Sequence, residues 1–345
     1  MIEIDGSRKS GSGTILRLSV ALAAITGQPL YLYNIRENRP QPGLKPQHLA
    51  AVLTAAKLCN AELKNVRLDS RELWFNPKNV KSGKFEAEIG TAGSISMLLA
   101  TVLPICTFAE DTIHLHISKG GTDVQHSPTI NYMRYVFLSI LKRMGLDGEL
   151  TVHRYGYYPK GLGEVTLTME PCKSIKPLCL GSFGKITGIK GVSVCTFLAK
   201  RKVAERQAEA ANKYLKEKGY TADICVVNDK SNPIQKGSSL ILWAETDTGV
   251  VLAADAIGEL RKTSEIVGRE AAEKLYAEIS AKATVDVHLS DLLIPYIALA
   301  QEKSEFLTRI VSDHLETNIW LAEKLLDVKF NVKKVGKLHK VEKVG

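Results

Sequence analysis

Residues 11–33 read GSGTILRLSVALAAITGQPLYLY. A glycine and serine turn leads into an apolar run, and the run ends just before Gly27. An apolar run of this length after such a turn is typical of a buried helix, and glycine suits the turn that ends a helix. The pattern predicts a helix over residues 14–25 and a strand over residues 30–33.

The combination of glycine-rich turn, apolar helix and strand recurs. Residues 90–94 (GTAGS) precede a predicted helix at 95–102, and a strand is predicted at 112–117. Near the end of the chain the predicted elements are a helix at 292–300, a strand at 305–310, a helix at 314–326 and a strand at 328–332. Buried helices beside alternating strands favour sheets with helices on one side. We therefore predict an α+β fold of repeated modules with their helices on one side of a sheet.

Residues 182–280 follow a different order. The predicted elements are a strand at 186–197, a charged helix at 201–218, strands at 222–227, 238–244 and 249–254, and a helix at 263–279. Because this βαβββα order is self-contained, we predict a smaller inserted α/β domain at 182–280. The large domain would then comprise residues 1–181 and 281–332. The lysine-rich residues 333–345 are predicted to be a frayed basic tail.

Composition narrows the class of protein. The 46 lysines and arginines exceed the 37 aspartates and glutamates by nine, an excess that favours a polyanionic partner such as RNA or a nucleotide. The six cysteines form no CxxC pair, which predicts reduced thiols without a disulfide framework or zinc site. With no apolar run of about 18 residues and no secretory leader, we expect a cytoplasmic protein without membrane contact. Composition leaves the oligomeric state open.

Two segments near the N-terminus are candidates for anion binding. Residues 5–13 (DGSRKSGSG) lie between a predicted strand and a predicted helix, whose first N–H groups attract anions. They lack the GxxxxGK[ST] spacing of a Walker loop, and an ordinary tight turn is an equal alternative. Residues 36–48 (RENRPQPGLKPQH) are rich in cations, and their prolines are expected to hold them extended. Arginines suit phosphate oxygens, but a solvated loop with salt bridges is equally compatible.

Further candidates lie along the rest of the chain. The glycine-rich turns at 120–123 and 155–163 are compatible with close approach to a ligand or with plain turn geometry. His288 precedes Asp291 by three residues, so both side chains share one face of a predicted helix. His314 stands at the start of the next helix, where a cap or core role is common. No spacing of histidine, cysteine and glutamate resembles a metal cage.

Several ordered segments together resemble the RNA 3′-terminal phosphate cyclase family, in particular an archaeal-type member with a divergent nucleotide site. The segments include ILR (15–17), IRxxRPxPGLxPQH (35–48), TAGS (91–94), GGTD (120–123), AERQA (204–208), WAETD (243–247) and HLxTNIW (314–320). The resemblance runs over nearly the whole chain. It implies a large domain of repeated βαβ-type units with a smaller α/β domain inserted, in agreement with the predicted elements.

The resemblance also implies an ATP-dependent reaction. In this family a histidine attacks the α-phosphorus of ATP, the resulting histidyl-AMP passes AMP to an RNA 3′-phosphate, and the vicinal 2′-hydroxyl closes a 2′,3′-cyclic phosphate. By motif match the nucleophile is His314, and a neutral imidazole is suited to this attack. The implied cofactors are ATP and a divalent metal, Mg²⁺ or Mn²⁺, and the implied partner is RNA that ends in a 3′-phosphate.

The same resemblance assigns the remaining site roles. Asp291 is implied, besides its nucleotide role, as a metal ligand. The positions implied for nucleotide binding are His288, Leu289, Ser290, Asp291, Leu292, Pro128 and Ala100. The positions implied for binding phosphate and the RNA end are Arg17, Arg36, Arg39, Gln47 and His48.

The sequence departs from the family pattern around this site. Ser10 stands where the family has a metal-binding glutamate, Ala100 and Leu292 each replace a glutamine, and His288 replaces an aromatic residue. Loss of a carboxylate should weaken stabilisation of the triphosphate charge. The leading hypothesis is an active cyclase with an altered ATP pocket. The alternative is a non-catalytic RNA-binding paralogue that acts as an RNA-processing scaffold, which the complete His314 motif disfavours. A third hypothesis keeps adenylation but changes the nucleotide or the acceptor.

Overall fold

A computed structural model describes residues 1–344. Helices alternate with strands that form four-stranded sheets. The strands are β1 (Ile2–Asp5), β2 (Leu30–Tyr33), β3 (Glu62–Lys64), β4 (Leu73–Asn76), β5 (Gly83–Glu88), β6 (Ile113–Gly120), β7 (Gly148–Arg154), β8 (Gly163–Met169), β9 (Cys179–Leu180), β10 (Ile186–Thr196), β11 (Ala222–Asp229), β12 (Gly237–Thr246), β13 (Val251–Ile257), β14 (Glu305–Thr308), β15 (Phe330–Val335) and β16 (Leu338–Lys343). The helices are α1 (Gly13–Thr26), α2 (Pro46–Cys59), α3 (Ile95–Cys106), α4 (Ile130–Tyr132), α5 (Leu138–Arg143), α6 (Val203–Glu217), α7 (Ser264–Ala281), α8 (Val287–Leu299) and α9 (Asp313–Leu325), with a π-helical turn, Met133–Phe137, between α4 and α5.

Three of the sheets share one topology. Their strand orders are β1-β2-β4-β3, β5-β6-β8-β7 and β9-β14-β16-β15. In each sheet the first two strands are parallel, and the last two form an antiparallel hairpin whose second strand pairs with the second strand of the sheet. Each unit therefore runs strand, helix, strand, helix, hairpin. The predicted α+β fold of repeated units is confirmed.

The helices of the three units pack together, and the sheets lie outside them. Helix α1 contacts α2, α3 and α9. In β2 the side chains of Leu30 and Leu32 are buried, whereas those of Tyr31 and Tyr33 are partly exposed. This alternation gives the sheet an apolar inner face toward the helices and an outer face toward solvent.

Residues 182–280 contribute the fourth sheet, whose order is β11-β10-β12-β13. Helices α6 and α7 pack on it, and the observed order of elements is the predicted βαβββα. The segment enters the third unit between β9 and α8. The Asp255 carboxylate of β13 accepts a 2.7 Å hydrogen bond from the Thr129 N–H, which ties this sheet to the start of α4. The boundaries of two separate domains stay a prediction.

The expectation of a frayed basic tail at residues 333–345 is wrong for residues 333–344, and Gly345 lies outside the described residues. Strand β16 pairs with β14 on one side and with β15 on the other, and the side chain of Val341 is only 1% exposed. The third unit needs this hairpin to complete the sheet that covers its helices. Within the hairpin, Leu338 and Val341 of β16 are buried, whereas Val332 and Val335 of β15 are exposed, so the core-facing apolar side chains come mainly from β16.

The expectation that residues 36–48 are extended is wrong. Their first part turns back on itself, and the Gly43 N–H donates to the Ile35 carbonyl oxygen at 2.7 Å. Pro46 occupies the first turn of α2, with Gln47 and His48 after it. Proline is tolerated at this position because its missing N–H would have no partner within the helix. The helix therefore begins inside the proline-rich segment and carries Gln47 and His48 on a rigid element.

The structure also shows the state of the cysteine thiols and whether any helix could span a membrane. All six cysteines are free, and Cys59, Cys106 and Cys195 are buried. Within residues 1–344, no helix combines the length and the apolar character needed to cross a membrane.

We predict that the C-terminal hairpin contributes to global stability. Val341→Ala removes two methyl groups from a buried position and is expected to lower the free energy of unfolding by about 2 kcal/mol. Val335→Ala, on the same hairpin at a position that is 50% exposed, is expected to change it by less than about 0.5 kcal/mol. Denaturant unfolding of both variants measures the difference, and equal small effects would contradict a structural role for the hairpin.

Candidate active site

The N-termini of four helices meet at one place. His314 in the first turn of α9 has its Nδ1 3.1 Å from the Oγ1 of Thr14 in the first turn of α1. The N-cap residue of α3, Ser94, donates its N–H to Oε1 of Gln47 in the first turn of α2, at 2.9 Å. A helix N-terminus carries a partial positive charge and free N–H groups. Four of them together form a strong candidate site for an anion.

Two glycines allow these helices to approach. A Cβ atom at Gly13 would overlap Nε2 of His48 and would lie 2.8 Å from a guanidinium nitrogen of Arg17. A Cβ atom at Gly93 would lie 2.8 Å from Cβ of Gln47. Side chains at either position would push α2 away from α1 or from α3. Glycine is therefore required by the close approach itself.

Arginines surround the point where the helices meet. Burial and the neighbouring charge of Arg36 lower the pKa of Arg17 to about 10. Burial and Arg39 lower the pKa of Arg36 in turn, so the three guanidinium groups repel one another. Arg36 also donates to the carbonyl oxygens of Gln41 and Gly43, at 2.7 and 3.0 Å, and so holds its loop closed. A bound anion would relieve this repulsion, which makes the cluster suited to phosphate.

His48 is a neutral hydrogen-bond donor in this cluster. Its Nδ1 accepts the N–H of Lys45 at 3.3 Å, which leaves the proton on Nε2. Burial, together with the charges of Arg17, Arg36 and Lys45, lowers the pKa of His48 to about 3. The Nε2–H group lies against Gly13 and therefore points toward the N-terminus of α1. His48 can thus donate to an anion without adding a charge.

His314 is held through its Nδ1 and remains exposed to solvent. Burial of part of the ring, and then the charges of Arg17 and Arg39, lower the pKa of His314 below its ordinary value. The Thr14 hydroxyl oxygen already accepts from Arg17 at 3.3 Å and can accept a second hydrogen bond. Donation from the Nδ1–H of His314 leaves a free lone pair on Nε2. The arrangement places a neutral imidazole with an available lone pair beside the candidate anion site.

Asp291 lies beside the first turn of α9. Its carboxylate accepts a 2.6 Å hydrogen bond from the hydroxyl of Ser312, the N-cap residue of α9, and its carbonyl oxygen accepts from the Asn318 side chain at 2.7 Å. Burial raises the pKa of Asp291 to about 6. The structure thus places Asp291 against the N-cap of α9, two residues before His314.

His288 and the other positions predicted for the nucleotide lie on neighbouring helices. The exposed ring of His288 stands edge-on to Tyr132, with 6.2 Å between ring centroids. Pro128 is buried just before α4, and Ala100 is partly buried on α3, which contacts α8. Within residues 288–292 the side chains of Leu289 and Ser290 are buried in the core, whereas those of His288, Asp291 and Leu292 remain accessible. The nucleotide role of these residues stays a prediction.

The residues present fit a metal ion bound mainly by phosphates. No group of three or more histidine, cysteine, aspartate or glutamate side chains within residues 1–344 is arranged to hold a metal ion. Mg²⁺ is usually held by one or two carboxylates, several waters and the phosphates of its substrate. The Asp291 carboxylate, desolvated and bonded only through one oxygen to Ser312, can serve as such a ligand.

Sequence reasoning missed two threonines that organise the site. Thr14 contacts His314, and Thr317 accepts a 3.2 Å hydrogen bond from the N–H of Ser10. Both residues lie inside quoted segments, at the end of the glycine-rich loop and in the HLxTNIW motif. The available signal was a hydroxyl residue at the start of each helix, where such side chains bond to neighbouring groups.

Comparison with known proteins agrees with this geometry. The family profile described as RNA 3′-terminal phosphate cyclase matches residues 8–332. The chain belongs to this family. Proteins named RNA 3′-terminal phosphate cyclase from Pyrobaculum neutrophilum, Methanopyrus kandleri and Pyrococcus furiosus are each 42% identical to the chain, over 100%, 96% and 99% of its length and 98%, 95% and 99% of theirs. The resemblance seen in the sequence is therefore confirmed, and the chain is a member of an enzyme family.

We predict that His48 and His314 of the candidate site both remain neutral at physiological pH, because burial and the neighbouring cations lower both pKa values. In ring-selective NMR titration, His48 should show no protonation between about pH 5 and 8, and His314 should titrate below its ordinary value of 6.5. Arg39→Gln removes a like charge and should raise the pKa of His314. An unchanged pKa of His314 in this variant would contradict the proximity of the two groups.

Proposed function

We propose that this chain uses ATP to convert an RNA 3′-terminal phosphate to a 2′,3′-cyclic phosphate through histidyl-AMP and RNA-adenylate intermediates. The supporting observation is the place of His314, a neutral imidazole at the point where four helix N-termini and three arginines meet. Nucleophile and anion site are therefore adjacent. Family membership and the names of the relatives support the overall reaction.

In the first step Nε2 of His314 attacks the α-phosphorus of ATP, and the bond to the bridging oxygen of pyrophosphate breaks. Thr14 accepts the Nδ1–H of His314 and so keeps the Nε2 lone pair directed outward. Arg17 and Arg39 offset the charge that develops on the phosphate oxygens and on the departing pyrophosphate. The products are histidyl-AMP and pyrophosphate.

In the second step an oxygen of the RNA 3′-phosphate attacks the same phosphorus, and the imidazole of His314 leaves. The RNA then carries a phosphoanhydride with AMP. Its 2′-hydroxyl gives up its proton to water and attacks the 3′-phosphorus, which closes the ring and expels AMP. AMP is a good leaving group where a phosphate oxygen alone is not. Arg36, Gln47 and the Nε2–H of His48 would hold the RNA phosphate at the N-termini of α1 and α2.

The remaining residues are assigned to the nucleotide. His288 would lie against the adenine ring, and Leu292, Ala100 and Pro128 would form the apolar part of its pocket. Asp291 would hold a divalent metal, Mg²⁺ or Mn²⁺, which when bound neutralises triphosphate charge. Lys9 lies next to Ser10, where the family has a glutamate, and would provide part of this neutralisation directly.

The proposal predicts that His314 carries the covalent nucleotide. After incubation with α-labelled ATP and a divalent metal, the wild-type chain should retain label on a denaturing gel, and His314→Ala should not. His153→Ala changes a histidine on β7, outside the site, and should label as wild type does. The adduct should be labile to acid and resistant to hydroxylamine, as a phosphoramidate is. Full labelling of a folded His314→Ala variant would refute His314 as the nucleophile. If the wild-type chain binds RNA but is not labelled, the non-catalytic scaffold is the function that remains.

A second prediction concerns the altered loop. Ser10→Glu restores a carboxylate at the N-terminus of α1 and should lower the metal concentration needed for half-maximal labelling, up to about tenfold, which corresponds to about 1.4 kcal/mol. Ser7→Glu makes the same charge change in the same loop and should leave this concentration within about twofold. An identical response of both variants would show that position 10 is not a metal position in this chain.

A further inference from the structure

The outer face of the first sheet carries three stacked aromatic rings. Tyr31 lies in the middle, with its ring centroid 4.4 Å from Trp74 at an interplanar angle of 21° and 5.5 Å from Tyr33 at 27°. All three side chains are partly exposed, because Leu30 and Leu32 take the alternate positions that face the helices. We call Tyr31, Tyr33 and Trp74 the aromatic strip.

The strip is rigid. The Tyr31 hydroxyl donates a 2.8 Å hydrogen bond to the Glu72 carboxylate, which fixes the middle ring. Residues Tyr31 and Trp74 are direct partners across the antiparallel pair of β2 and β4, so the backbone ladder sets their spacing. Tyr33 and Trp74, the end rings, each have only one ring neighbour in the strip. An added planar group can continue such a stack with little loss of side-chain entropy.

The strip leads to the candidate active site. Strands β1 and β2 are parallel, with Asp5 paired to Tyr33, so both chains leave the sheet at the same edge. The loop after β1 enters α1, and the loop after β2 contains Arg36 and Arg39. The two loops are tied together, since the Asn38 side chain donates to the Ser7 carbonyl oxygen at 2.8 Å. Tyr33 is therefore only three residues along the chain from Arg36, in the loop that carries the arginines.

The charges near the strip favour bases over phosphates. Glu3 and Lys64 flank the rings in register, one at each edge of the sheet. Glu72 is engaged with Tyr31, and the Glu62 carboxylate pairs with Lys78 at 2.8 Å. The mixed charge contrasts with the cationic cluster around Arg17, Arg36 and Arg39. A polyanion would thus place its phosphates at the arginines and its bases on the rings.

We propose that the aromatic strip is a binding site for single-stranded RNA, and that it stacks bases of the nucleotides on the 5′ side of the 3′-phosphate end. This inference rests on the proposed function, which places that end at the arginines. Aromatic rings on the open face of a four-stranded sheet are a common platform for unpaired RNA bases. Stacking accepts any base, so the strip would add binding contacts to the RNA without selecting a sequence.

The first test compares RNA length. Binding of a 3′-phosphorylated oligoribonucleotide of about ten nucleotides, and of a 3′-phosphorylated dinucleotide, is measured without ATP. Tyr33→Thr and Trp74→Thr should each weaken binding of the longer RNA about fivefold or more and change binding of the dinucleotide by less than about twofold. Threonine keeps the strand propensity at these positions. Unchanged affinity of folded variants for the longer RNA would overturn the proposal.

The salt dependence separates stacking from charge. The two threonine variants should keep the wild-type slope of log affinity against log salt, because they remove no cation. Arg39→Gln should reduce that slope by about 0.7. Tyr158→Thr alters another exposed tyrosine, at the 155–163 turn, and should have no effect on either quantity. If Tyr158→Thr weakens binding of the longer RNA and the strip variants do not, the RNA path runs over that turn and the strip assignment is wrong.

A spectroscopic readout reports the contact directly. Base stacking on Trp74 should quench tryptophan fluorescence when the longer RNA binds, and Trp74→Phe should abolish the quench while binding persists.

A doubled mass in solution that the strip variants abolish would assign the face to a second copy and overturn the proposal. Length-dependent binding through the strip in a chain without adenylation would refute the proposed function alone, so the two failures are distinguishable.

Discussion

The positive ends of four helices converge because each helix starts where a strand ends. Helices α1 and α2 follow β1 and β2, and α3 and α9 follow β5 and β14. In each unit the first two strands are parallel, so the helices that follow them begin at the same edge of the sheet. Three copies of one topology pack their helices together and direct these edges inward. The candidate anion site is a consequence of this repeat. The helix N-termini already provide a positive electrostatic potential there, and the surrounding side chains add to it.

The two histidines show how such a field is used. Protonation of either ring would add a positive charge among arginines, and burial adds a further penalty, so both imidazoles remain neutral. The neighbouring hydrogen bonds then decide what each ring can do. His48 accepts a backbone N–H through Nδ1 and presents a donor, whereas His314, bonded through Nδ1 to Thr14, can present a lone pair. In the proposed reaction, one electrostatic environment thus suits one histidine to binding and the other to attack.

The residues that depart from the family pattern lie on the frame formed by the four converging helices, and they do not disturb it. Ser10 occupies a loop that is held by its own N–H bond to Thr317, and His288 projects from α8 toward solvent. The frame depends on glycines, caps and main-chain bonds, so these side chains can change while the helices stay in place. This is consistent with relatives that share 42% identity over nearly the whole chain. Divergence at the positions proposed for the nucleotide is therefore compatible with an unchanged environment of His314.

Local sequence by itself determined much of the fold. The apolar runs of α1 and α3 and the alternation in β2 allowed the helices and strands of the repeated units, and the order of the 182–280 insertion, to be read directly. The tail could not be read this way. Its mixture of lysine and valine by itself predicts a solvent-exposed segment. In the structure β16 pairs with β14, and this pairing buries Val341. Comparison of the units would have supplied the missing signal, since the first two each end in a hairpin.

The site divides in the same way. Motif matches assigned His314, the arginines and Asp291 to the candidate site without any geometry, because a motif specifies residue types at fixed positions along the chain. They could not supply the contact of Thr14 with His314, which joins residues 300 positions apart. Nor could they give the close approach of Gly13 to His48, or the stacking of Tyr31 on Trp74 from the next strand. Those features depend on how three sheets pack around common helices, and distance in space is set by that packing rather than by separation along the chain.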